Sequence, residues 1–151
     1  MVEIAATLLK EMGISTSVVN ATSLPALIAA VSVFDESATL KLCTDKMYEA
    51  ANAVKSFGIS QADRNSTPDS GIVKDDFLLV TKSSVHFHSK AFSAVVDQLK
   101  SEFQNAGLIS IIWGSEISIE NKEYLKSQVS NFEFVEIDGM QEVWQVLVGV
   151  E

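Results

Sequence analysis

A chain of 151 residues with 47% apolar and 21% charged residues has bulk for a globular core but too little length for two full domains. Eleven Lys plus Arg against twenty Asp plus Glu leave a formal charge of −9, a field that repels phosphate backbones and anionic headgroups, so neither nucleic acid nor a membrane surface is an expected partner. The single cysteine, Cys43, cannot close an internal disulfide, and the longest apolar run, residues 24–31, contains Pro25 and falls short of the roughly 20 residues of a membrane helix; a cytoplasmic protein is expected.

Residues 2–12 set Ala5, Leu8, Leu9 and Met12 at i, i+3, i+4 and i+7, the stripe of a helix that Gly13 stops. Residues 15–21, with Val18 and Val19, read as a strand, and Thr22-Ser23-Leu24-Pro25 then caps a helix or breaks the chain. Over residues 24–43 two readings compete. Leu24, Leu27, Ile28, Val31 and Phe34 fit a helix, whereas Val31-Ser32-Val33 and Thr39-Leu40-Lys41-Leu42-Cys43 alternate as strands do around an Asp35-Glu36-Ser37 turn. The alternation favours a β-hairpin, 29–34 with 38–43. Thr44 or Asp45 then caps a helix carrying Met47, Ala50, Ala51, Val54 and Phe57, with Gly58 as its stop. Residues 59–75, with Pro68, Gly71 and many small polar groups, read as a long surface loop.

Residues 77–80 form an apolar strand, Lys82-Ser83-Ser84 a turn, and residues 85–87 a second extended segment. Phe92, Val95, Val96, Leu99 and Phe103 predict a helix over 91–106, ended by Gly107. A buried strand over 109–113 follows, then a helix from a Ser118 cap through Phe132, a short strand over 134–137, and a terminal helix on Met140, Val143, Trp144, Leu147 and Val148. Residues 4–15 match residues 49–60 at six of twelve positions, Gly-Ile-Ser included, which two glycine-stopped helices explain without a true repeat.

Over residues 28–150 this order of elements resembles the STAS domain (sulfate transporter and anti-sigma factor antagonist) of bacterial anti-anti-sigma factors. The most specific stretch is FLLVTKSSVHFHSKAFSAVVDQLKSEFQNAGLISIIWGS, residues 77–115. The resemblance implies an α/β fold for residues 27–151: a mixed sheet of about five strands with an N-terminal β-hairpin and flanking helices. Residues 1–26 would be an added helical segment. It further implies a non-catalytic regulatory or adaptor module without a cofactor, whose partner is a kinase-type anti-sigma factor or a membrane transport complex. Where such domains carry a phosphoacceptor motif of Asp, Ser or Thr, a small residue and Gly, this chain has Ser89, Lys90, Ala91 and Phe92. The usual phospho-switch is therefore not expected, and Ser89 and Ser93 remain as candidate phosphorylation sites. The docking surface is expected at His86, His88, Ser89, Lys90, Phe92 and Ser93, where the positive end of helix 91–106 favours an acidic group.

His86 and His88, two apart on an extended segment, share one side and could begin a metal site. They are the only histidines, though, and a closed zinc site takes four ligands, so solvent-facing histidines beside a binding loop are expected and no metal. Cys43 stands ahead of a helix, but no base is identifiable and Asp45 opposes a thiolate, which leaves a structural thiol. Asp75 and Asp76 precede a strand, whereas receiver-type carboxylates follow one, so they read as solubilising charges. Trp113 and Trp144 read as core. No G-x-G-x-x-G, P-loop, G-x-S-x-G or H-E-x-x-H occurs, and no enzymatic activity is expected. Other classes compete with the adaptor: a flavodoxin- or receiver-like domain binding a small ligand, with residues 24–34 helical, an acidic immunity or assembly protein, or a cytoplasmic fragment of a membrane complex.

Overall fold

A computed structural model describes residues 2–66, 70–82 and 84–151. The chain forms two compact units, Met1–Val54 and Lys55–Glu151.

The first unit holds three helices, α1 (Val2–Glu11), α2 (Leu24–Ser32) and α3 (Leu40–Ala53). Helix α1 stops as its sequence requires. Gly13 takes φ +79°, and the Ile14 N–H donates to the Leu9 carbonyl at 2.9 Å. Residues 15–21 make no strand. Ser23 Oγ accepts the Ala26 N–H at 3.2 Å, and Pro25 sits in the first turn of α2, where a missing N–H costs nothing. Thr39 Oγ1 accepts the Leu42 N–H at 3.3 Å and starts α3 several residues before the expected Thr44 or Asp45. The expected hairpin of 29–34 with 38–43 is thus replaced by helix. Its physical reason is burial: Ala26, Ala30 and Ala51 form the core of this unit with Val19, Ala21, Met47 and Val54 around them, and alanines allow α2 and α3 to approach closely.

The second unit is one six-stranded sheet with helices packed on it. Its strands are β1 (Lys55–Gln61), β2 (Phe77–Thr81), β3 (Ser84–Ser89), β4 (Ile109–Gly114), β5 (Phe134–Gln141) and β6 (Trp144–Val150), in the order β3-β2-β1-β6-β4-β5. Only β4 and β5 run parallel; the other neighbours are antiparallel. Helices α4 (Phe92–Asp97), α5 (Lys100–Phe103) and α6 (Ile119–Val129) supply Phe92, Val95, Val96, Phe103, Leu125 and Val129 to a core shared with Ile59, Leu79, Ile109, Ile111, Val146 and Val148. The mixed α/β class expected from the sequence is present, with six strands and no N-terminal hairpin.

Three further expectations are corrected. Helix α3 ends at Ala53, so Phe57 and Gly58 lie on β1, and the loop over 59–75 begins as strand. The helix over 91–106 is broken between Asp97 and Lys100 into α4 and α5. The terminal helix is strand β6, because Val146, Val148 and Val150 alternate into the core, and β-branched residues at period two pack better on a pleated surface than on a helix. Thr67, Pro68 and Asp69 of the expected loop and Ser83 of the expected turn lie outside the described residues. Among the described residues no helix is long and apolar enough to cross a membrane.

The matched glycines 13 and 58 do different work. Gly13 ends a helix, whereas Gly58 lies mid-strand beneath the Trp144 ring, where an added Cβ would overlap Trp144 Cε3 at 2.6 Å. Gly58→Ala is expected to destabilise the protein by about 1–3 kcal/mol through overpacking. Urea titration measures this, and Trp144→Leu in the same chain should return part of the loss.

Candidate functional site

The register of β2 on β3 builds the most polar interior position of the second unit. Phe77 pairs with Ser89 and Leu78 with His88, so the residue just before β2 stands beside the residues that end β3. That residue is Asp76, only 3% exposed. The turn before it is fixed by the Asp75 N–H donating to the Ala62 carbonyl and the Ala62 N–H donating to the Asp76 carbonyl, both at 2.8 Å, with Asp75 at φ +70°.

Both carboxylate oxygens of Asp76 are used. Oδ2 accepts the Val73 N–H at 3.0 Å and lies 3.0 Å from His88 Nδ1, while Oδ1 is 3.3 Å from Lys90 Nζ. Lys90 also donates to the Lys74 carbonyl, and the Lys74 N–H donates to Asn65 Oδ1 at 2.8 Å. The Val73 N–H, then His88 and Lys90, hold the Asp76 carboxyl below its ordinary value against the opposing effect of burial.

An ionised carboxylate only accepts, so His88 carries a proton on Nδ1 and turns Nε2 outward. The His88 side chain is 34% exposed. Gly71, at φ +68°, passes the Cε1–Nε2 edge of the ring, and an added Cβ would stand 3.9 Å from Nε2. The arrangement therefore presents one imidazole nitrogen of fixed orientation and one ammonium, both anchored on a buried anion. Its chemistry suits an anionic head such as a carboxylate, which needs N–H donors held in place.

The other residues singled out in the sequence fall elsewhere. His86 is exposed and is the extra residue of a bulge, because Leu79 pairs with Phe87 and Val80 with Val85, so the strict alternation expected of His86 and His88 does not hold. Ser89 Oγ accepts the Ala91 N–H at 3.2 Å, and Ser93 is half-buried on α4. Phe92 is core, edge-on to Phe77 with ring centroids 5.4 Å apart. Cys43 is buried, its Sγ 3.8 Å from Met47 Sδ. Trp113 is buried, and its Nε1 donates to Glu136 Oε2 at 3.1 Å. Asp76 is the residue that sequence reasoning missed: of the two adjacent aspartates Asp75 is exposed and Asp76 buried, a difference set by the turn and the strand register. Among the described residues no group of three or more His, Cys, Asp or Glu side chains could hold a metal ion.

A carboxyl with a lowered folded pKa binds fewer protons folded than unfolded, so its contribution is complete above the unfolded value of about 4 and drains as the pH falls toward the folded value. Asp76→Asn should lower the urea midpoint at pH 7, and the gap to the native chain should close as the pH is taken below about 4. A gap independent of pH would show that the charge of Asp76 does not stabilise the fold.

The family model for the FakA-like C-terminal domain of fatty acid kinase matches residues 1–151. An uncharacterized protein of Staphylococcus haemolyticus is 31% identical over 143 residues, which are 90% of this chain and 26% of that protein. One of Staphylococcus saprophyticus is 27% identical over 143 residues, with the same coverage of 90% and 26%. The chain thus spans about a quarter of the length of the curated relatives it matches. Among solved structures, a DegV family protein from Corynebacterium glutamicum superposes with a TM-score of 0.65 at 16% identity, covering 97% of this chain and 69% of that one. A fatty acid binding DegV family protein from Streptococcus agalactiae gives 0.62 at 12% identity, covering 99% and 65%. The dihydroxyacetone kinase from C. freundii, solved with AMP-PNP and Mg2+, gives 0.60 at 12% identity, covering 98% and 35%. At these identities the likeness is one of fold alone. These matches overturn the STAS resemblance, and with it the anti-sigma antagonist function and the anti-sigma kinase or transport-complex partners. The chain belongs to the FakA-like C-terminal domain family of fatty acid kinase.

Proposed function

We propose that this chain is a fatty-acid-binding module of a longer, fatty acid kinase-type protein, itself non-catalytic and working in the cytoplasm. The observation that carries the reading is the match of the FakA-like C-terminal model of fatty acid kinase to residues 1–151. The fold likeness to a fatty acid binding DegV family protein supports the ligand class. It also favours the small-ligand alternative of the sequence over an adaptor.

A fatty acid at neutral pH is a carboxylate on an apolar tail. Its head needs donors whose own charge is already balanced, or the surrounding charge of −9 would repel it. His88 and Lys90 meet that need: each leans on Asp76, and His88 keeps Nε2 turned outward for a ligand oxygen. His86, on the bulge, has no such anchor.

Isothermal titration calorimetry of the full chain with oleate is expected to give a one-to-one complex. His88→Ala should weaken it about ten-fold, equal to about 1.4 kcal/mol, and His86→Ala should leave it unchanged. Absence of binding by the native chain would refute the module reading, and equal affinities of the two variants would move the carboxylate away from His88.

A further inference from the structure

The two edges of the sheet differ. Edge strand β3 is interrupted by the His86 bulge, a device that discourages further strand pairing. Edge strand β5 is not interrupted over its first part: Phe134 to Asp138 pair in unbroken register with Ile109 to Trp113. The irregularity comes only after Asp138, where Met140 takes φ +54° and the Gln141 amide fills the space a side chain on Gly139 would need. Residues Val135 to Met140 are all exposed.

The side chains of this edge carry a definite pattern. Val135 and Ile137, 45% and 39% exposed, alternate with the acidic Glu136 and Asp138, and Glu133 and Glu142 flank the strand. Glu136 is partly answered by Lys126, 2.9 Å away on α6, and by Trp113 Nε1. A second copy of the same strand fits poorly. Antiparallel pairing about Ile137 would set Glu136 opposite the other Asp138, and parallel in-register pairing would stack each acid near its twin; like charges directly across strands destabilise a sheet.

We propose that the outer edge of β5 docks an extended segment of a partner protein in which basic and apolar residues alternate, adding a seventh strand to the six of the sheet. Main-chain hydrogen bonds to residues 134–138 supply the pairing, Lys or Arg side chains face Glu136 and Asp138, and apolar ones lie along Val135 and Ile137. This surface is separate from the Asp76 cluster and stands whether or not the chain binds a fatty acid.

The test uses fluorescence anisotropy with an end-capped peptide of about eight residues, alternating Lys and Val, and a Glu–Val counterpart. The Lys–Val peptide should bind the full chain, weaken as salt is raised, and slow hydrogen exchange at residues 134–138; the Glu–Val peptide should not bind. Asp138→Lys, an exposed change that leaves the fold intact by its circular dichroism, should cost about five-fold in affinity. Equal binding of both peptides, equal binding by the Asp138 variant, or protection confined to other strands would overturn the proposal. So would peptide-free, concentration-dependent protection of residues 134–138, which would give the edge to a second copy.

Discussion

Six strands make one sheet here only because β6 lies between β1 and β4. Without it the second unit would be two separate ribbons, β3-β2-β1 and β4-β5. Val150 pairs with Lys55 on one side and Ile109 on the other, Val148 with Phe57 and Ile111, and Val146 with Ile59 and Trp113. The same valines fill the middle of the core, with Val146 and Val148 fully buried. Two-sided pairing and one-sided packing thus fall on one seven-residue segment. Its pairing with β1 joins residues nearly a hundred positions apart, so loop closure weighs heavily on assembly and the sheet is completed late.

The polar site follows from that frame. Once β1 is held by β6, its end at Gln61 fixes Ala62, and the two backbone bonds between Ala62 and residues 75 and 76 set where β2 begins. The register of β2 on β3 then brings His88 and Lys90 to Asp76. A carboxylate so little exposed is tolerated because each oxygen has a donor; losing one partner costs more than the pair is worth, since it strands the remaining charge. His88 is therefore positioned as well as exposed, which separates it from His86 two residues away.

Helix α1 and strands β2 and β4 are legible in the sequence because an apolar stripe, or an unbroken apolar run, coincides with what the structure buries or stops: Gly13 ends α1, and β4 is buried at every residue. Ser118 marks α6 in the same way, its Oγ accepting the Asn121 N–H. The misreadings share a cause. In α2 the large residues Leu27, Val31 and Phe34 are exposed, and the packing is carried by alanines, which add little to any hydrophobic pattern. In β6 the sequence WQVLVGV satisfies a helical spacing through Trp144, Leu147 and Val148 and a strand spacing through Val146, Val148 and Val150; only the sheet decides between them. The STAS resemblance failed on the same ground, since an order of helices and strands carries no register and no neighbour order. His88 and Lys90 were legible as site residues, but their anchor was not, because Asp76 meets them across a strand pair and the sequence does not state which strands pair.

A fold shared with a fatty acid binding protein and with a kinase does not choose between their activities, so the distinguishing chemistry must lie in the polar groups this chain adds to it. Those groups are distributed unevenly. The edge that carries His88 and Lys90 is blunted by its bulge, while the regular, acidic edge lies at the far side of the sheet, five strand spacings away. At about 4.8 Å per spacing that is roughly 24 Å, longer than a carboxylate head and its first turns of tail could bridge. A segment added to β5 therefore leaves the approach to His88 open, and a ligand held at His88 leaves β5 free. Any coupling between the two edges would have to pass through β6, whose valines pack against both halves of the core.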